Sequence, residues 1–259
     1  MFPVCTTRNG PVLTVAIDRP ALRNALNEDV ARGIEAALDA AEADPEVRAV
    51  VLTGSGDKAF CAGGDLRPGA DGTPFTIDAA DPRHYVARLL RRMDACRLPL
   101  LARVNGHALA GGMGLACACD LVVMREDALI GVTEVRVGLF PAMILPYLLR
   151  ILPPRRMMEL CLTGEAVTGA QAAAEGWVNY AVPAAELDAK LDWLLARIID
   201  KSPTGMRLGK QGLARIREMT TDAALDYAQF MLANMARTED AREGFAAFGQ
   251  KRAPEWTGR

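Results

Sequence analysis

Apolar positions along this chain follow strand-like patterns at first and helical ones later, and the change divides it. Val12-Leu13-Thr14-Val15-Ala16-Ile17 follows the turn signal Asn9-Gly10 and stops before Arg19-Pro20, which predicts a strand. Val30, Ile34, Ala37, Leu38 and Ala41 then recur at helical spacing behind Asn27-Glu28-Asp29, a helix-capping run, so a helix is expected over residues 30–43, stopped by Asp44-Pro45. Ala49-Val50-Val51-Leu52-Thr53 is a continuous run ending at Gly54-Ser55-Gly56, the pattern of a strand covered on both faces. Residues 67–82 are rich in Gly, Pro, Asp and Thr without periodicity, and a mobile surface loop able to cover a site is expected there. A helix over 84–96 and strands over 100–104 and 120–124 follow. From about residue 153 the spacing turns helical: 155–162, 170–176, 186–201, 204–218 and one long segment over 221–248. The expectation is an α/β layered core over 1–195 with a helical C-terminal region over 196–259.

Composition narrows the function classes. Of 259 residues, 51% are hydrophobic and 24% charged, the values of a folded globular chain. Thirty basic residues against thirty-two acidic ones are scattered, so no footprint for nucleic acid is present. Cysteines at 5, 61, 96, 117, 119 and 161 form no C-x-x-C pair, and His84 and His107 are the only histidines, so neither a metal site nor a disulfide framework is expected. The N-terminal residues show no basic stretch leading into a long apolar one, and the longest uncharged stretch, 104–119, is too short and too rich in small residues to span a membrane. A cytoplasmic location is expected.

Two glycine-bearing turns attract chemical interest. Ala59-Phe60-Cys61-Ala62-Gly63-Gly64-Asp65-Leu66 follows the strand at 49–53, and paired glycines let backbone N–H groups face a cavity that a Cβ would obstruct. Asn105-Gly106-His107-Ala108-Leu109-Ala110-Gly111-Gly112-Met113-Gly114-Leu115 leads from a strand into a helix whose N-terminal N–H groups suit a developing negative charge. Two such donors can form an oxyanion hole; equally, such glycines can serve only a tight turn and close packing. Neither turn fits a phosphate loop or a dinucleotide fingerprint.

In order and spacing these residues resemble the enoyl-CoA hydratase/isomerase, or crotonase, superfamily. The resemblance runs through Arg19-Pro20-x-x-Arg23-Asn24-Ala25-Leu26, Phe60-Cys61-Ala62-Gly63-Gly64-Asp65-Leu66, Asn105-Gly106-x-Ala108-x-x-Gly111-Gly112, Cys119-Asp120 and Glu134-x-x-x-Gly138-x-x-Pro141. It continues through Leu162-Thr163-Gly164, Ala172-x-x-x-Gly176 and Glu243-Gly244-x-x-Ala247-Phe248-x-x-Lys251-Arg252, nearly the whole chain. It implies a spiral of repeated ββα units, with trimers or pairs of trimers formed through the C-terminal helices, and an acyl-CoA thioester as ligand with no separate cofactor. By the same resemblance Gly64 and Gly111 supply the oxyanion hole. Arg23, Ala25, Ala62, Asp65 and Leu66 line the CoA groove, Phe248 and Lys251 contact CoA, in one arrangement from a neighbouring subunit, and Met113, Gly114 and Pro141 shape the acyl pocket. Arg23 and Lys251 can equally be solvated surface charges.

The family's hydratases commonly carry two glutamates. Glu134 matches one of them; the position of the other, three residues beyond Gly111, is Gly114 here, which cannot carry a proton. Ala142-Met143-Ile144-Leu145-Pro146-Tyr147 also replaces a glycine-rich turn of straight-chain hydratases, and with Thr133–Ala142 it looks more like hydratases of branched or carboxylated enoyl-CoA, such as methylglutaconyl-type and terpenoid-degradation enzymes. The expected activity is enoyl-CoA hydration with Glu134 as acid and base. Two rivals stand beside it: a Δ3,Δ2-enoyl-CoA isomerase using Glu134 alone, and a non-catalytic acyl-CoA-binding oligomer. His107 is read as structural, Asp120 as ending a helix and bonding locally, and Cys61, Cys117 and Cys119 as buried thiols without a basic partner.

Overall fold

The computed structural model describes residues 2–67, 74 and 83–259. The chain opens with β1 (Val4–Asn9), β2 (Val12–Ile17) and α1 (Glu28–Ala43). The Asn27 side chain accepts the Val30 N–H at 3.0 Å, as the capping run predicts, and α1 buries Val30, Ile34, Ala37, Leu38 and Ala41. Three turns of strand, strand, helix follow. They are β3 (Ala49–Gly54), β4 (Ala59–Cys61) and α2 (Tyr85–Asp94); β5 (Leu100–Val104), β6 (His107–Leu109) and α3 (Gly111–Cys117); then β7 (Leu121–Arg125) and β8 (Leu129–Gly131), followed by the short α4 (Leu145–Leu148) and α5 (Pro154–Thr163). The chain continues with β9 (Ala166–Thr168), α6 (Gly169–Ala174), β10 (Tyr180–Val182), α7 (Leu187–Ile199), α8 (Pro203–Ile216), α9 (Thr221–Met235) and α10 (Glu239–Gln250).

Among the described residues the strands form two sheets. One has the order β1-β2-β3-β5-β7-β10, antiparallel between β1 and β2 and parallel thereafter; the other is β4-β6-β8-β9, parallel except between β8 and β9. Each turn gives its first strand to the large sheet and its second to the small one, which is the ββα spiral. The continuous apolar run of β3 is explained by its two faces. Val50 and Leu52 enter the main core, while Ala49 and Val51 pack with Leu101 and Val123 beneath Leu187, Leu191, Leu194 and Leu195 of α7. A boundary at residue 195 falls inside α7.

Three expectations change. The long helical segment over 221–248 is two helices, because the Thr238 hydroxyl accepts the Ala241 N–H and starts α10, and Asp240 is buried where it collects Ser202 and the backbone of Thr204, Thr257 and Gly258. Asp120 does not bond only locally: its carboxylate accepts Leu100 N–H at 2.7 Å and Lys210 Nζ–H at 2.6 Å, tying β5 and α8 to the start of β7. β1, whose six residues are nearly all exposed, and the three-residue strands of the small sheet were absent from the periodicity, the first for want of an apolar face and the others for want of length. The loop expected over 67–82 lies, apart from positions 67 and 74, outside the described residues.

Candidate active site

The Arg19–Leu26 segment is a clamp. Asn24, buried and at φ 57°, accepts Arg19 N–H and donates to the carbonyls of Ser55 and Ala59. Arg19 donates to Ala25 O at 2.5 Å and to the Asp65 carboxylate at 2.7 Å. These bonds set Leu26 beside Gly64 as a parallel bridge in which Leu26 N–H donates to Gly63 O at 2.8 Å and Asp65 N–H to Leu26 O at 2.7 Å. In such a bridge the N–H of Gly64 itself points away from Leu26, and among the described residues it finds no acceptor.

The second donor comes from α3. Gly111 is its first residue, so no preceding turn offers its N–H a carbonyl. Ala110 before it stands at φ 51°, ψ −122°, a conformation costly for any residue with a Cβ, and is held there by its N–H bond to Gly131 O at 2.8 Å. A Cβ on Gly111 would lie 3.7 Å from the Gly64 nitrogen, so the two backbones face one another. Gly63, at φ 104°, is a glycine for cause: its Cβ would stand 2.8 Å from that of Ala110.

Gly64 and Gly111 both line a cleft of about 300 Å³ whose other walls are mostly apolar, among them Leu26, Val86, Leu139, Phe140 and Ile144. Glu134 enters it from the first residue of a single 3-10 turn, Glu134–Val137, which Gly138 closes at φ 77°. Its Oε2 is buried and has no hydrogen-bond partner among the described residues. Burial pushes the Glu134 carboxyl above its usual range, against the backbone N–H groups of Glu134 and Thr133, which favour the ionised form. The arrangement can hold an oxyanion between two fixed donors and move a proton beside it.

Of the positions singled out in the sequence, Gly64, Gly111, Glu134, Ala62, Leu66 and Pro141 line this cleft. Asp65 does not; Arg67 and then Arg19 hold its carboxyl well below the carboxylate range, and its role is to anchor the loop. Ala25 gives its carbonyl to Arg19, and Arg23 is exposed at φ 50° beside a separate depression with Lys58, His107 and Arg125. Met113 is buried in the core, and the face of Gly114 is closed by Ile144, so of the three acyl-pocket positions only Pro141 reaches the cleft. Phe248, 89% exposed, and Lys251 stand on and at the end of α10. His107 Nδ1 accepts Leu129 N–H, a packing role. Burial pushes the thiols of Cys61 and Cys117 up to about 12 and that of Cys119 well up, which leaves them unreactive.

The sequence missed Leu26, His84, Ala110 and, of the apolar wall over 137–144, Val137, Leu139 and Phe140; Pro141 and the run from Ala142 were already singled out there. That wall carried a readable signal: Val137, Leu139, Phe140 and Met143 are large apolar side chains concentrated around Gly138 and Pro141, and all four are exposed. Among the described residues no cluster of metal-ligating side chains is present, and no helix is long and apolar enough to cross a membrane.

Among the described residues, the ββα spiral brings two backbone N–H groups without an acceptor and a half-buried carboxylate to one mostly apolar cleft, an arrangement suited to a developing negative charge. The chain belongs to the enoyl-CoA hydratase/isomerase family, whose sequence model matches residues 7–259. It is 33% identical over 264 residues to 2,3-dehydroadipyl-CoA hydratase of Escherichia coli (strain K12), covering 100% of both chains. It is 30% identical over 261 residues to (E)-benzylidenesuccinyl-CoA hydratase of Thauera aromatica, covering 99% of this chain and 100% of that one. The crystal structure of an enoyl-CoA hydratase from Mycobacterium tuberculosis H37Rv superposes with a TM-score of 0.89 at 31% identity, over 99% of each chain.

Proposed function

We infer that the protein is an enoyl-CoA hydratase, adding water reversibly across the C2–C3 double bond of an acyl-CoA thioester. The observation that carries the reading is the buried Oε2 of Glu134, without a partner among the described residues, in the same cleft as Gly64 and Gly111, whose N–H groups find no acceptor among them. The thioester oxygen sits between the two N–H groups. Glu134 takes a proton from water as the water oxygen bonds to C3, and the π pair moves into an enolate whose oxygen the glycines hold. Glu134 then delivers the proton to C2 as the enolate pair returns. Two preorganised donors are the largest contributor, one such donor being worth about 3 kcal/mol of barrier elsewhere.

A second reading has its own observation: Glu134 is the one carboxylate among the described lining residues, and Gly114 stands where the hydratases this chain resembles commonly carry another. A Δ3,Δ2-enoyl-CoA isomerase needs no more, since one group can take the proton from C2 and return it to C4.

The relatives' names, 2,3-dehydroadipyl-CoA and (E)-benzylidenesuccinyl-CoA hydratase, are both of thioesters with a second carboxyl. The lining here supports a branched hydrocarbon acyl group instead, since His84 is the one basic side chain among the described lining residues. Ala62 and Leu66, with the backbone of Ala25 and Asp65, flank the pantetheine, Arg23 meets the nucleotide, and Phe248 and Lys251 reach CoA from a neighbouring copy. Exposed Leu213, Leu225, Phe230 and Leu232 on α8 and α9 support a homotrimer or a pair of trimers. The reaction draws on no cofactor beyond the CoA of its substrate.

The test is product analysis by mass spectrometry with straight, branched and carboxylated 2-enoyl- and 3-enoyl-CoA in heavy-oxygen water. Label in a 3-hydroxyacyl product is expected. A shifted double bond without label would move the enzyme to isomerase, and tight CoA binding without turnover would make it a binding protein.

A further inference from the structure

Val86 lines the cleft from the first turn of α2, and Leu90, one turn further along the same helix face, is 2% exposed and does not reach it. The opposite wall ends alike: Ile144 lines the cleft, while Leu148, whose N–H donates to Ile144 O at 3.2 Å, is buried and does not. One turn beyond the lining residues the two walls are tied to each other. Tyr147 Oη–H, on α4, donates to Leu90 O, on α2, at 2.9 Å. The Arg150 guanidinium lies 4.9 Å from the centre of the Tyr147 ring and pairs with Asp94, the last residue of α2, at 3.0 Å. The run Ala142–Tyr147, distinctive in the sequence, therefore carries part of one wall and ends in the residue that fastens it to the other. Leu89, Leu90, Met93 and Leu148 around this clasp belong to the main core, so both walls run into close-packed hydrocarbon. The cleft between them, at about 300 Å³, is at the low end for a ligand cleft.

We propose that Tyr147 is a positioning residue which, by clasping α4 to α2, fixes the depth of the cleft between Val86 and Ile144 and makes the enzyme selective for thioesters of short acyl groups. The proposal rests on the hydratase reading, in which the thioester oxygen lies at Gly64 and Gly111 and the acyl group extends between these two walls. Each methylene that finds an apolar wall favours binding about fourfold. One that meets the closed end must push α4 from α2, against the Tyr147 hydrogen bond and the Arg150–Asp94 pair, or stay outside. The clasp restricts length and leaves branching near the thioester unrestricted, as the branched acyl group proposed above requires.

The experiment measures kcat and KM for hydration of 2-butenoyl-, 2-hexenoyl-, 2-octenoyl- and 2-decenoyl-CoA by wild type, Tyr147→Phe, Arg150→Gln and Thr168→Ala. In wild type kcat/KM is expected to peak at 2-butenoyl- or 2-hexenoyl-CoA and to fall by about tenfold or more at 2-decenoyl-CoA. Tyr147→Phe and Arg150→Gln are each expected to raise the ratio of the 2-decenoyl to the 2-butenoyl value by about fourfold or more, the worth of one admitted methylene, with the gain in KM for the longer substrate. Thr168→Ala removes the hydroxyl that caps α6, on neither wall, and should keep the wild-type ratio although the fold is weakened. Should Tyr147→Phe fail to fold, Arg150→Gln decides. A wild-type kcat/KM that rises through 2-decenoyl-CoA, a ratio unchanged in the folded clasp variants, or an equal shift in Thr168→Ala overturns the role of Tyr147 and leaves the hydratase reading standing; wild-type protein that hydrates none of the four overturns both.

Discussion

The guanidinium of Arg19 lies 2.7 Å from the carboxylate of Asp65, with the two side chains only 9% and 12% exposed. This pair ties the turn that positions Leu26 to the loop that presents Gly64, so the aim of one oxyanion donor depends on a salt bridge outside the cleft. Removing one partner leaves the other charge buried. Asp65→Asn is expected to cost about 3 kcal/mol of stability and to lower turnover at temperatures where the fold persists. Arg67 and then Arg19 hold the Asp65 carboxyl below its unfolded value. A depressed carboxyl contributes stability that is present above the unfolded pKa and is lost as pH falls below about 4. Thermal melts of wild type across that range should fall more steeply than those of Asp65→Asn. Arg67 is 63% exposed, and its share is screened in salt.

Glu134 shows the opposite sign. Burial raises its carboxyl, so the base is ionised only above a pH higher than usual for glutamate, and the acid limb of kcat/KM should lie above about 4.3, the ordinary value. A raised carboxyl contributes stability below its unfolded pKa that is lost as pH rises through its folded one. Glu134→Gln should therefore melt no lower than wild type at neutral pH while losing activity, and the acid limb should vanish from what activity remains. A melting point well below wild type would show that the carboxylate supports the fold.

Gly63 tests the oxyanion geometry without touching a titratable group. Its added Cβ would meet Ala110, the strained residue ahead of Gly111. Relief requires one of the two glycine backbones to move, and Gly63→Ala should lower kcat by about 10² with KM changed far less, in a protein whose circular dichroism is that of wild type. An unchanged kcat would place the oxyanion elsewhere.

The C-terminal helices make a separate prediction. Leu225 and Phe230, 61% and 72% exposed on α9, are apolar surface that a monomer would leave in water. Sedimentation should report a trimer or hexamer for wild type and smaller species for Leu225→Glu with Phe230→Glu. A monomeric wild type would remove the neighbouring copy from the proposed CoA site.

How far the sequence was legible follows from the range over which each signal acts. The runs at 12–17 and 49–53 and the helix behind Asn27 were readable because burial of a face imposes a period over many residues. β4, β6 and β8 were not, since three residues carry no period and their pairing is decided by the spiral. The break at Thr238 was written in the chain as a threonine followed by Glu239 and Asp240, but helical spacing on both sides concealed it. Among site residues, Gly64, Gly111 and Glu134 could be named from motif order. The tie of Asp65 to Arg19, 46 positions away, and the filling of the Gly114 face by Ile144 are products of long-range packing and have no local trace.

The most direct measurement of the central claim is the rate of heavy-oxygen incorporation into a 2-enoyl-CoA by wild type and by Glu134→Gln, each checked for an intact fold. The account predicts a 3-hydroxyacyl-CoA carrying the label, formed by wild type and slowed by about 10² to 10⁴ in the variant. Label entering at the same rate in both would contradict it.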